Sequence, residues 1–220
     1  MLIIGETMNC LFKGPRLIVF VIMLSVLTGC AMQPSFRPVT DLTMRYTGNG
    51  YSALPPQGKD WYISGHSPNA VGFNKASVEQ RKKYQTFGAN VIVMKPEAKK
   101  VDSSAEFPEA IEQLLTNIHG GVGSRFRLIS LKVAPFGPQG SYCSLIDLVQ
   151  EERDNPIAPG VVLEITVHGF TCLDISSKFM IQAVYSERKT KGSESMLDDA
   201  LKREAEGFLK DVKITPLHDN

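Results

Sequence analysis

Apolar and polar residues alternate along most of this chain, and in two places the alternation gives way to helical spacing. Residues 42–47 (Leu-Thr-Met-Arg-Tyr-Thr) read as a first strand, Gly48-Asn49-Gly50 turns it, and Pro55-Pro56-Gln57-Gly58 leads into an aromatic strand at Trp61-Tyr62-Ile63. Val71-Gly72-Phe73 and residues 89–94 continue the β pattern, while residues 77–85, with Arg81, Lys82 and Lys83, read as a solvated loop or helical turn. Residues 108–119 then carry Ala110, Ile111, Leu114, Leu115 and Ile118 on one stripe. Ser103 and Glu106 stand upstream as a cap and Gly120-Gly121 stops the helix. Four β-branched and aromatic segments follow at 127–133, 141–151, 161–173 and 179–188. A second amphipathic helix is expected over 195–210, with Leu197, Ala200, Leu201, Ala205, Phe208 and Leu209 on one side, and residues 212–215 add a short closing strand.

This order predicts an α+β fold, a mostly antiparallel sheet flanked by two amphipathic helices that share a face or take opposite ones. The layout, with its early aromatic strand after a turn and its terminal helix, resembles that of PsbP-like domains over roughly residues 42–215. The resemblance lies in element order and implies no functional residue.

One segment stands apart from the alternation. Residues 17–27 are an apolar run behind Lys13 and Arg16, shorter than the ~18–20 residues of a membrane span, and this is the order of a secretory signal. The run ends in Leu27-Thr28-Gly29-Cys30, which resembles a bacterial lipobox. The resemblance implies lipidation of the Cys30 sulfur, cleavage before it, and a bilayer as partner through the acylated cysteine. Two or more acyl chains hold a protein stably where one does not. Ala31 in place of an aspartate favours the outer membrane under enterobacterial-type sorting. Met8 offers an alternative start to Met1, since Met8-Asn-Cys-Leu-Phe-Lys-Gly-Pro-Arg16 is a basic leader without Glu6. The expected organisation is a lipoprotein signal over 1–29, a lipidated tether over 30–40, one α+β domain over 41–216 and a tail over 217–220.

Charge adds an exclusion. The chain has 24 Lys+Arg against 23 Asp+Glu, and losing Lys13, Arg16 and Glu6 with the signal brings the rest to balance, so nothing points to nucleic acid. With Cys10 in the signal and Cys30 acylated, Cys143 and Cys172 remain as an even pair in an oxidising compartment. If 141–151 and 161–173 form a hairpin about residues 154–160, the register that opposes Cys143 to Cys172 also opposes Leu145 to Phe170 and Asp147 to His168. It stacks Ile146 with Gly169 and Leu148 with Val167 on the other face. A disulfide between the two cysteines is the expectation, against two reduced thiols.

Asp147 opposite His168 is the orienting half of a hydrolytic triad, but no G-x-S-x-G elbow accompanies it, and charge pairing on a solvated face explains it more simply. Trp61 and Tyr62 are candidates to line a ligand groove, with core packing as the simpler alternative. His66 reads as a loop histidine and His119 as a helix-end one placed by the dipole. Gly120-Gly121-Val122-Gly123-Ser124 follows a helix and lacks a phosphate-loop context. No metal ligand set and no cofactor is expected. The leading expectation is a periplasm-facing lipoprotein with a non-enzymatic role in binding or envelope assembly and a possible envelope protein partner. The alternative is an envelope hydrolase using Asp147 and His168.

Overall fold

The computed structural model describes residues 37–75, 84–95, 101–119, 125–174 and 179–215. The signal, Cys30, residues 81–83, residues 120–124 and the tail over 217–220 lie outside the described residues. Eleven strands and two helices are described: β1 (Arg37–Pro38), β2 (Tyr46–Gly48), β3 (Tyr51–Ala53), β4 (Trp61–Ser67), β5 (Ala70–Lys75), β6 (Thr86–Met94), α1 (Phe107–His119), β7 (Phe126–Pro135), β8 (Cys143–Glu152), β9 (Leu163–Asp174), β10 (Phe179–Thr190), α2 (Asp199–Asp211) and β11 (Lys213–Ile214).

Eight strands form one sheet in the order β1-β4-β5-β6-β10-β9-β8-β7, each neighbouring pair antiparallel. The chain runs β4 to β6 as a meander and reaches the far edge at β7 through α1. It then returns through β8, β9 and β10 until β10 lies beside β6. A three-stranded sheet, β11-β3-β2, holds the two chain ends of the domain together. The fold is α+β.

The helices take opposite faces, a choice the sequence left open. Strand alternation puts Val71, Phe73, Phe87, Ala89, Val91, Ile181, Ala183 and Tyr185 on one face, where Leu201, Ala205 and Phe208 of α2 complete the larger core. The other face carries Ile146, Leu148 and Met180, against which α1 buries Phe107 and Ile111. Each such buried side chain contributes ~1.5–3 kcal/mol. Ile146 faces Gly169, as the expected register requires, and there the backbones of β9 and β10 come too close for a side chain. A methyl group at Gly169 would run into the Ala183 carbonyl oxygen and stand 2.6 Å from Val184 Cα.

Three of the boundaries that differ from expectation are set by hydrogen bonds. The strand expected from residue 42 is β2 and begins at Tyr46, because Asp41 Oδ1 accepts from Thr43 N (2.8 Å) and Thr43 Oγ1 (2.7 Å), bending residues 41–43 into a turn. The second helix begins at Asp199. Buried Glu187 accepts from Ser195 Oγ (2.6 Å) and Met196 N (2.5 Å), keeping those residues out of the helix, and Asp198 Oδ1 caps Leu201 N at 2.7 Å. The segment expected to be free tether up to residue 40 is held from Arg37 onward, since β1 pairs with β4 and Val39 N donates to Trp61 O at 2.8 Å.

Candidate functional site

The β8–β9 hairpin gathers four of the sequence-derived candidates on one face. Cys143 opposes Cys172, and Asp147 opposes His168. The backbone bond from Leu173 N to Tyr142 O (2.8 Å) sets the phase of the ladder, making both of these non-hydrogen-bonded pairs, the kind in which side chains approach most closely. The cysteine sulfurs lie 2.02 Å apart with Cα atoms at 4.0 Å. His168 Nδ1 and Asp147 Oδ1 lie 2.5 Å apart.

The Asp147–His168 pair is wet: the side chains are 57% and 32% exposed. Beside it on β10 stands Tyr185, its ring 5.2 Å from the imidazole and its hydroxyl held above the ordinary phenol range by burial first, then by the charges of Glu206 and Asp147. The carboxylate orients the imidazole as in a triad. Among the described residues, however, no serine, threonine or cysteine side chain hydrogen-bonds that imidazole. Among the described residues the pair therefore has no hydrogen-bonded nucleophile to activate.

This face opens outward beyond the pair. The cover provided by α2 ends near β9, and Ser130, Lys132 and Ala134 of β7 with Leu145 and Asp147 of β8 are all exposed. Phe136, 38% exposed, stacks on Phe170 with ring centroids 5.0 Å apart, next to Leu145 at 41%. The result is an apolar patch bordered by a cation and an anion. Sequence reasoning missed Phe136, Tyr185 and Glu206. Phe136 lies beyond the strand expected over 127–133, between Pro135 and Gly137, and the other two reach the site from β10 and α2.

Trp61 and Tyr62 do not join it. Trp61 is 1% exposed in the larger core, and its indole N–H donates to Glu204 Oε2 (2.9 Å), which also receives Lys75 Nζ at 2.6 Å and so ties α2 to β4 and β5. Tyr62, next along β4, takes the opposite face and is half-buried. His66 lies within β4 instead of a loop, its Nε2 3.1 Å from Thr47 O. His119 ends α1 as expected, but burial pushes its imidazole below the usual range, opposed by Gln150, so the dipole alone does not describe it.

A second polar cluster closes the other end of the hairpin. Glu151, 3% exposed, accepts from Lys191 Nζ (2.5 Å) and Arg153 Nη2 (2.7 Å), with Arg127 at 4.0 Å. Bonds from Lys191 and then Arg153 outweigh burial and hold its carboxyl down to about 2. Glu152, on the opposite face, pairs with Arg125 and accepts from Asn155 Nδ2 at 3.0 Å. These bonds clamp the loop over 153–160 and make the cluster structural.

No family model and no curated protein sequence matches this chain. Among solved structures, the fold is similar to the Saccharomyces cerevisiae Ran-binding protein Mog1p, at a TM-score of 0.40 and 9% identity over 75% of this chain and 90% of that one.

Proposed function

We propose that this protein is a bacterial lipoprotein, anchored through acylated Cys30 and facing the periplasm from the outer membrane, whose α+β domain works by binding in envelope assembly and not by catalysis. The observation that carries the reading is Leu27-Thr28-Gly29-Cys30 at the end of a short apolar run behind Lys13 and Arg16. Binding is supported by the exposed apolar patch at Phe136 and Leu145 on a sheet face that α2 leaves open. An Asp147–His168 pair without a hydrogen-bonded nucleophile gives a hydrolase no comparable support.

Metabolic labelling with a palmitate analogue, followed by membrane fractionation, tests the anchor. The wild-type chain takes the label and stays with membranes, and Cys30→Ser loses both. Equal labelling of the variant overturns the lipoprotein reading.

A further inference from the structure

β7 is the outermost strand of the eight-stranded sheet, and among the described residues no strand pairs with its outer edge. The bond from Phe136 N to Cys143 O (3.0 Å) fixes which residues look inward. Counting back along the ladder by alternation, Ala134, Lys132 and Ser130 face β8 with their backbone groups, while Leu131 and Val133 direct N–H and C=O away from the sheet. Pro135 occupies the next outward position, where proline is tolerated because no ladder bond needs its N–H. A register shift between Leu128 and Ser130 marks the other end, with Ile129 49% exposed there. Bulge and proline guard the ends of the edge, as proteins do against open-ended pairing. Among the described residues, no strand closes the window between them.

The side chains bordering that window specify what fits. Leu131 and Val133 are half-buried on the α1 face, an apolar border. On the opposite face Lys132 is exposed. Asp147, its partner across the ladder, is paired with His168, so Lys132 makes no ion pair among the described residues. A second copy is the poorer occupant, since antiparallel pairing of β7 with itself through Leu131 and Val133 sets Lys132 opposite Lys132.

We infer that the outer edge of β7 at Leu131 and Val133 is a strand-addition site for an extended segment of a partner protein that alternates apolar and acidic residues. Backbone bonds to Leu131 and Val133 would hold such a segment, with its acidic side chains toward Lys132. This deepens the binding role proposed above and rests on it.

The test titrates the purified full-length chain in detergent with a fluorescent peptide of about seven alternating valines and glutamates, reading anisotropy and the amide resonances of Leu131 and Val133. Saturable binding that shifts those two amides is expected, weakened about tenfold or more when the peptide's alternate amides are N-methylated. Lys132→Glu should weaken the glutamate peptide and favour a valine–lysine one. Equal binding of the N-methylated peptide, unmoved Leu131 and Val133 amides, or dimerisation of the chain through β7 overturns the inference. The N-methyl arm uses the unaltered protein, so it decides even if the variant folds poorly. Failure of peptide binding in a chain that still takes the palmitate label sinks the edge site alone, whereas loss of the label with binding intact sinks the anchor alone.

Discussion

Replacing Cys143 and Cys172 together by alanine gives the most quantitative check on the hairpin. The two positions are separated by 29 residues, and in the chain-entropy treatment closing a loop of about that length removes unfolded-state freedom worth about 3–4 kcal/mol. Alanine at both positions leaves no new polar group where Cys172 is buried in the larger core. For a domain of this size each kcal/mol moves the midpoint by roughly 2–4 °C, so thermal unfolding of the double variant should fall on the order of 10 °C below wild type. Urea unfolding should give the same loss at an unchanged slope. The protein isolated from cells without reductant should resist alkylation at both positions. A midpoint change under about 2 °C refutes the entropic estimate, and full alkylation of both thiols refutes the bridge itself.

Three further outcomes follow from other parts of the fold. Glu151 takes up its proton near its ordinary 4.5 when unfolded but only near about 2 when folded. Its contribution to stability is therefore complete above pH 4.5 and lost as pH falls toward 2. Glu151→Gln should flatten the dependence of the urea midpoint on pH across that window, and an unchanged slope contradicts the clamp. Gly169→Ala should cost about 1–3 kcal/mol by forcing β9 from β10, read as a lowered urea midpoint, and a neutral result denies the close approach. His168→Ala should change stability by only about 0–1 kcal/mol, because its partner is exposed. A loss well beyond that would make the pair part of the core.

Much of the sheet was legible because its pattern is strictly local. Period-two alternation located β4 to β10, and the opposition of Cys143 with Cys172 fixed a register whose other pairs, Ile146 with Gly169 and Leu148 with Val167, are those observed. What the sequence hid was long-range. Nothing local says that α1 and α2 take opposite faces, since both stripes read alike. The helix boundary at Asp199 depends on Glu187, a carboxylate on another strand. The candidate site was half legible for the same reason. Asp147 and His168 follow from the register of one hairpin, whereas Tyr185 and Glu206 arrive from elements whose placement alternation does not encode. Trp61 shows the converse, since an aromatic beside a loop suits groove or core equally until Glu204 is seen holding its indole N–H.

The central claim is that the domain is delivered and held by a lipid on Cys30. The most direct measurement is intact mass and N-terminal fragment analysis of the mature protein extracted from membranes. The account predicts a chain that begins at Cys30 and carries a diacylglyceryl modification on that residue. A chain that still begins at Met1 or Met8, or one cut elsewhere with a free Cys30 thiol, would contradict it.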